Sequence, residues 1–261
     1  MEITCPFLVE SALLTHGLVS VSNETLLRCW PEELSCIAWV DAGKIRIGSM
    51  AQFLPFRDRA AELCRIDCDL LPEALEKGIS GALTASGTMA LCARLGIGLA
   101  VTCGMGGIGD IRGEELCPDL PALESIPVTL ISTSPKDMLD IPATIGWLQS
   151  HGVQVVGAGT DRCTGYIFQS ADVLLSGKVE ALPGLPTGKC LILNPIPQAE
   201  RIQESAFLQM GIQAGKEAEI RGGYYHPAAN AAYDRLSGGR SSYIQMQSLI
   251  ANARLAQKLT R

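Results

Sequence analysis

The 261-residue sequence lacks the features that several classes of protein require. It has no run of about 18 apolar residues, as a membrane-spanning helix needs, and it does not begin with a basic segment followed by an apolar one, as a secretory signal does. Its 21 basic residues are dispersed and its net charge is −6, which argues against nucleic acid as the main partner. We therefore expect a cytoplasmic protein that engages neither membranes nor nucleic acid.

The ten cysteines contain no CxxC pair. In a cytoplasmic chain this spacing predicts reduced, mostly buried thiols, with a cysteine-based zinc site as the minor alternative. Charged residues make up only 18% of the chain, below the usual share of about a quarter. That scarcity is a weak indication that part of the surface is covered in an oligomer.

Short apolar runs alternate with amphipathic stretches, a pattern typical of an α/β fold. We predict a single domain over 1–261, in which the Gly- and Pro-rich segment 168–186 is a small excursion. The predicted strands are 7–14, 37–40 and 44–47 (a hairpin), 82–85, 99–102, 128–132, 153–156 and 190–193. The predicted helices are 88–95, 135–150, 199–211 and 242–259.

Residues 104–109 match the G-x-G-x-x-G pattern of dinucleotide-binding proteins and follow a predicted strand. A dinucleotide site requires this pattern to open a helix, because the pyrophosphate binds the helix's N-terminal amides. Residues 110–118 have no helical apolar stripe. A nicotinamide or flavin site is therefore disfavoured, and we predict a glycine-rich loop whose backbone approaches a small ligand.

Lys136 lies just beyond a predicted buried strand. Ser134, Pro135 and Asp137 form a helix-capping pattern, which predicts that Lys136 lies in the first turn of a helix. The positive end of the helix dipole and burial would both lower the pKa of this lysine, toward the neutral amine that attacks a carbonyl. The alternative is an ordinary surface lysine.

Glu10 interrupts the apolar run 7–14. An acid on a buried or cleft-lining strand has a raised pKa and can donate a proton near neutrality. The alternative is a glutamate on the solvated face of that strand. His16 follows the same strand and is predicted to line the same cleft, whereas His151 and His226 are assigned no role.

Several sequence blocks occur in an order and at a spacing that resemble a known family. They are residues 9–17, 84–89, 102–107, 152–160, 194–197, 236–239 and 252–256. On these blocks, nearly the whole chain resembles the pseudouridine-5′-phosphate glycosidase family, which includes indigoidine synthase A-like proteins. The resemblance implies a three-layer α/β/α sandwich with a mixed central sheet, assembled as a homotrimer.

The resemblance also implies an activity, the reversible cleavage of the C–C bond between ribose 5-phosphate and C5 of uracil. A carbon leaving group is not expelled by protonation of a heteroatom, so a two-carboxylate glycosidase is a poor solution. The family's route opens the ribose ring and forms an imine between C1′ and a lysine, while an acid protonates uracil C5. By resemblance, Lys136 is the nucleophile and Glu10 the proton donor.

Further roles follow from the resemblance alone. Glu115 matches a Mn²⁺-binding aspartate, and Arg65 matches a substrate-contacting lysine near the phosphate. The other expected substrate contacts are Ala85, Cys117, Pro118, Asp119, His16, Thr102, Asn194 and Gln245. Gln245 replaces an asparagine expected to face the base, and the histidine of the family's Gly-Gly-Val-His-Arg-Gly segment has no counterpart at 106–113.

Because the core chemistry is retained while the rim differs, alternatives remain open. One is a C-nucleoside enzyme of secondary metabolism that acts on another aglycone. Another is a non-catalytic ligand-binding relative, although retention of both Lys136 and Glu10 argues against it.

Overall fold

The computed structural model describes residues 5–109, 116–179 and 188–261. The strands in these ranges are β1 (Leu8–Val9), β2 (Ile37–Asp41), β3 (Lys44–Gly48), β4 (Cys64–Ile66), β5 (Gly81–Leu83), β6 (Leu99–Val101), β7 (Gly104–Met105), β8 (Thr129–Ser132), β9 (Ser134–Pro135), β10 (Gln154–Ala158), β11 (Arg162–Cys163), β12 (Val173–Leu174), β13 (Gly177–Val179) and β14 (Cys190–Leu193). The α-helices are α1 (Asn23–Cys29), α2 (Met50–Arg57), α3 (Leu70–Lys77), α4 (Ala85–Leu95), α5 (Asp119–Ser125), α6 (Ile141–Ser150), α7 (Ser205–Ile220), α8 (Tyr225–Leu236) and α9 (Arg240–Leu259). None of these helices is long and apolar enough to cross a membrane.

The central sheet is mixed, as predicted. Its strand order is β13-β10-β14-β8-β6-β1-β2-β5-β4, and β3 pairs with β2. Neighbours from β13 to β2 run parallel, whereas β5 and β3 are antiparallel to β2. Two small sheets, β7-β9 and β11-β12, lie outside it.

Side-chain alternation along the strands divides the core into two layers. Leu8 and Leu130 pack in one hydrophobic cluster with residues of α3, α4, α5 and α6. Val9 and Ile131 pack in the other, with residues of α1, α2, α8 and α9. Successive strand residues point to opposite faces, so this buried sheet carries helices on both sides. The α/β/α prediction is confirmed.

The predicted strand 7–14 is wrong in its second half. Only Leu8–Val9 are extended, and a π-helical turn covers Leu13–Gly17. Strands β1 and β5 use the same edge of β2 and meet with their carboxyl ends facing each other, so the Ser11 amide donates to the Leu83 carbonyl at 3.2 Å. Since β5 occupies the edge beyond β1, the chain turns away from the sheet after Glu10.

The capping prediction around Lys136 is also wrong. Helix α6 begins at Ile141 with Asp140 as its N-cap, whose carboxylate accepts from the Ala143 amide at 2.9 Å. Ser134 is instead in β9, and its hydroxyl lies 3.3 Å from Cys163 Sγ. Long-range contacts thus override the local capping pattern, and the helix dipole cannot act on Lys136 as predicted.

The other predicted strands and helices agree with the structure to different degrees in where they begin and end. The hairpin of β2 and β3 and strand β14 lie where they were predicted. The helix predicted at 199–211 begins and ends later, at Ser205–Ile220, after a short 3₁₀ turn at Gln198–Glu200. All ten cysteines are free thiols, and five of them are buried: Cys36, Cys92, Cys103, Cys163 and Cys190.

Candidate active site

A cavity of about 390 Å³ opens where several strands end. Glu10 directly follows β1, Thr102 directly follows β6, and Lys136 directly follows β9. All three side chains line the cavity. Open α/β sheets bind ligands at the carboxyl ends of their strands, so this position is where the fold favours a site.

The cavity brings together most of the predicted site residues. Those in its lining are Glu10, Lys136, Arg65, Ala85, Thr102, Cys117, Pro118 and Asp119. His16, Asn194 and Gln245 are not among its lining residues. Glu115 lies outside the described residues.

Glu10 is 5% exposed. Its Oε1 atom accepts hydrogen bonds from Thr102 Oγ1 at 2.6 Å and from the Cys103 amide at 3.2 Å. Burial raises the pKa of the Glu10 carboxyl, and the two hydrogen bonds and the Lys136 charge only partly oppose that rise. The side chain therefore holds its proton at higher pH than an exposed glutamate does, as proton donation requires.

The stem of Lys136 passes closely over the glycine-rich loop. A Cβ at Gly104 would lie 3.2 Å from Lys136 Cγ and 2.7 Å from the Tyr166 ring. A Cβ at Gly106 would lie 2.1 Å from Cys117 Sγ. The loop was predicted to let backbone approach a ligand. Here its glycines also make room for the protein's own Lys136, Tyr166 and Cys117 side chains.

Two buried charges hold the loop that carries Tyr166. The Asp137 carboxylate accepts from the backbone amides of residues 166–168 at 2.8, 2.8 and 3.0 Å. The Arg201 guanidinium donates to the carbonyls of Thr164 and Phe168 at 3.0 and 3.1 Å. Since Asp137 is the neighbour of Lys136, this network fixes Tyr166 relative to the lysine.

Asn252 of α9 ties together the ends of three neighbouring strands. Its Nδ2 donates to the Thr102 carbonyl at 2.8 Å and to Thr133 Oγ1 at 3.0 Å, beyond β6 and β8. Its Oδ1 accepts from Asn194 Nδ2 at 2.9 Å, beyond β14. Asn194, predicted to contact substrate, is thus placed in the support beneath the cavity and faces a different groove beside α9.

Gln245 also lies behind the cavity. It is 1% exposed, and its Oε1 accepts from the Tyr166 hydroxyl at 3.3 Å. The same hydroxyl lies 2.8 Å from Cys103 Sγ. Tyr166 therefore stands between Gln245 and the cavity. His16 is half-buried, and burial is the main cause that lowers its pKa.

Both carboxylate oxygens of Asp119 accept hydrogen bonds from backbone amides. Its Oδ1 accepts from the Ser86 amide at 3.0 Å and its Oδ2 from the Gly106 amide at 2.8 Å. Within residues 5–109, 116–179 and 188–261, no three His, Cys, Asp or Glu side chains group so as to hold a metal ion. The predicted Mn²⁺ ligand, Glu115, lies outside these residues, so the Mn²⁺ site stays a prediction.

One wall of the cavity comes from residues that the sequence prediction missed. This wall contains Tyr224, which directly precedes α8, and His226 and Asn230 of α8. These three residues line the cavity together with Tyr166. Helix α8 carries an apolar stripe that the sequence prediction did not use, formed at helical spacing by the buried residues Tyr225, Ala229, Ala232 and Tyr233. Pro227 in its first turn, where proline is tolerated, was the available signal of a helix start.

The matching family model is that of indigoidine synthase A-like proteins, and it covers residues 8–261. The chain is 30% identical to a pseudouridine-5′-phosphate glycosidase of Methylobacterium nodulans, over 96% of this chain and 81% of the relative. It is also 30% identical to one of Caldanaerobacter subterraneus subsp. tengcongensis, over 96% of this chain and 89% of the relative.

Two solved structures share the fold. An indigoidine synthase A-like protein of Thermotoga maritima superposes with a TM-score of 0.81 at 22% identity, covering 98% of this chain and 92% of that one. The prealnumycin C-glycosynthase AlnA, in complex with ribulose 5-phosphate, superposes with a TM-score of 0.76 at 24% identity, covering 97% and 90%.

Proposed function

This chain belongs to the indigoidine synthase A-like family, and we propose that it is an enzyme that reversibly cleaves the C–C bond of a C-nucleoside 5′-phosphate. The expected products are ribose 5-phosphate and uracil. The observation that carries the proposal is that a lysine, Lys136, and a buried acid, Glu10, line one cavity. The names of the relatives that are 30% identical over 96% of this chain support the same reaction.

The proposed chemistry uses these two side chains in sequence. The neutral Lys136 amine bonds to C1′, the C1′–O4′ bond breaks, and O4′ takes the proton that the C1′-bound nitrogen loses, which leaves a lone pair on that nitrogen. The nitrogen lone pair then expels the base: the C1′–C5 bond breaks, Glu10 gives its proton to C5, and a protonated imine remains on C1′. Water hydrolyses the imine, which releases ribose 5-phosphate and regenerates the lysine.

We propose that the phosphate binds at the cavity mouth near Arg65. This side chain is exposed in β4 and lines the cavity, so its guanidinium can pair with phosphate oxygens. The N-terminus of α4 opens on the same cavity at Ala85, and the positive end of a helix dipole favours an anion.

A second candidate reaction keeps the same chemistry with another aglycone. Because Gln245 lies behind Tyr166, the amide expected to face uracil does not line the cavity. The aromatic ring of Tyr166 lies there instead, and an aromatic face accepts many planar bases. This observation motivates an assay of C–C bond formation in which uracil is compared with larger aromatic acceptors.

Borohydride trapping tests the proposal. The protein is incubated with ribose 5-phosphate, reduced, digested and mapped by mass spectrometry. We expect a stable adduct on Lys136, its loss in Lys136→Gln, and its retention in Lys77→Gln, which changes an exposed lysine paired with Glu73. An active protein that gives no adduct on Lys136 would overturn the mechanism.

Manganese and the trimer remain predictions from the family resemblance. No step above passes through a metal. If a divalent cation supports the reaction, chelation should lower the rate of base release and added Mn²⁺ should restore it. Sedimentation velocity tests the trimer, which would have three times the 27.7 kDa mass of the chain.

A further inference from the structure

Helix α8 presents a histidine to the cavity. His226, its second residue, lines the same space as Lys136 and Glu10. The preceding residue, Tyr225, donates a hydrogen bond from its hydroxyl to the Met138 carbonyl at 3.2 Å. Met138 comes two residues after Lys136, so the start of α8 is fastened to the segment that carries the lysine.

Helix α7 braces α8 from behind. A Cβ at Gly215 would lie 2.6 Å from the Tyr225 ring, and a Cβ at Gly211 would lie 1.9 Å from the Tyr233 ring. The two rings therefore sit directly against bare backbone of α7. His226 therefore lies on a helix that is held by the packing of two tyrosine rings and by their two hydroxyl hydrogen bonds, from Tyr225 to Met138 and from Tyr233 to the Leu208 carbonyl.

Burial and two nearby cations favour the neutral form of the His226 imidazole. Burial lowers the pKa of His226 well below its ordinary value, and the nearby cations Lys136 and Arg65 lower it further. The Asp119 carboxylate acts in the opposite direction. A neutral imidazole can accept a proton, and Lys136, which lines the same cavity, must lose one before it attacks.

We propose that His226 carries the proton between Lys136 Nζ and the oxygen that leaves C1′, an inference that rests on the proposed function. With ribose 5-phosphate, His226 takes one proton from the Lys136 ammonium. The neutral amine adds to the C1′ aldehyde and forms a carbinolamine. The imidazolium then returns its proton to the hydroxyl, which leaves as water, and the protonated imine forms with His226 neutral again.

Substrate binding would strengthen this base. A phosphate dianion placed near Arg65 offsets the positive charge that lowers the histidine's pKa, so the imidazole becomes more basic in the complex. The pH limb that reports this group should then lie higher for kcat than for kcat/KM, because the two report the bound and the free enzyme.

The test is the rate of borohydride-trapped adduct formation with ribose 5-phosphate. We expect His226→Ala to slow trapping about 10²-fold or more, the usual contribution of a general acid–base group. Added imidazole should restore trapping in proportion to its concentration. The control is His151→Ala, since His151 stacks on Trp147 at 3.8 Å and is not among the cavity-lining residues.

The outcomes separate this inference from the proposed function. No adduct on Lys136 in the wild-type protein removes the proposed function itself. A normal adduct in the wild type and an equal trapping rate in His226→Ala removes only the role of His226. Slow trapping without imidazole rescue, in a variant with unchanged melting temperature, means that His226 only shapes the cavity and also overturns the inference. If His226→Ala unfolds, His226→Gln undergoes the same comparison, and it must trap slowly for the inference to stand.

Discussion

The cavity has two walls that are built differently. The strand-end wall carries Glu10, Thr102 and Lys136 at the ends of buried strands. The helical wall carries Tyr224, which precedes α8, and His226 and Asn230 of α8, and this helix packs chiefly against α7. Helix α7 in turn fully buries only Gly211 and Gly215.

This difference separates two kinds of function. Groups that react directly with the substrate need a rigid support, because a small displacement of such a group lowers the reaction rate steeply. Ligand-binding elements are commonly drawn from regions with fewer buried contacts, so the helical wall suits substrate contact more than covalent chemistry. His226 is an exception, because it is proposed to carry a proton although it lies on the helical wall.

The largest expected effect falls on the strand-end wall, at Glu10. Glu10→Gln keeps the shape of the side chain but removes the proton that C5 receives, so base release should fall about 10² to 10⁴-fold. Adduct trapping on Lys136 should stay within a few-fold of wild type. Glu24→Gln, on the exposed start of α1, is the control. Unchanged base release in Glu10→Gln would remove Glu10 from its role.

The next effect concerns the space beside Lys136. Gly104→Ala places a methyl group against both the Tyr166 ring and the lysine stem, so the amine shifts and trapping should slow about 10²-fold. Gly146→Ala is the matched control, because nothing lies within 4 Å of a Cβ there and the residue is in mid-helix. Equal trapping in the two variants would show that the close approach has no catalytic consequence.

A smaller effect tests the hydrogen bond to the acid. Thr102→Val removes the hydroxyl that stabilises the Glu10 carboxylate, so the pKa of Glu10 should rise further. Glu10 acts in its protonated form, and the alkaline limb of base release should therefore move to higher pH. Thr102→Ser should leave the limb in place. A limb that moves to lower pH in the valine variant would contradict this assignment.

The smallest effect falls on the helical wall. Tyr225→Phe removes one hydrogen bond to Met138, which should lower the free energy of unfolding by about 0.5–1.5 kcal/mol. KM should rise a few-fold, with less change in kcat. The control is Tyr243→Phe, whose side chain is 47% exposed. A loss of kcat as large as that of Glu10→Gln would mean that the two walls do not differ as described.

The sequence predicted what local patterning determines. Strand β14 and the β2–β3 hairpin were found because runs of apolar residues bounded by turns are local signals. The predictions failed where contacts between segments distant in the sequence determine the local structure. The capping pattern at Ser134 was overridden when Asp137 bound the amides of residues 166–168, thirty positions away along the chain.

The candidate site divides in the same way. Glu10 and Lys136 stood out as charges beside apolar runs, and the structure places both in one cavity. The displacement of Gln245 by Tyr166 depends on how α9 packs behind a distant loop, which no local pattern reports. His226 was assigned no role because its place in the cavity depends on how α8 packs against α7 and the segment after Lys136, which no local pattern reports.

Because the Asn252 side chain joins three strand ends beneath the cavity, we expect these ends to open as one cooperative unit. The hydrogen bonds of Asn252 join the segments beyond β6, β8 and β14, and the side chain is fully buried. A local unfolding of the middle of α9 would release all three strand ends together. Amide protons at these ends should then share one free energy of opening in hydrogen exchange. That value should differ from the one for helices α7 and α8.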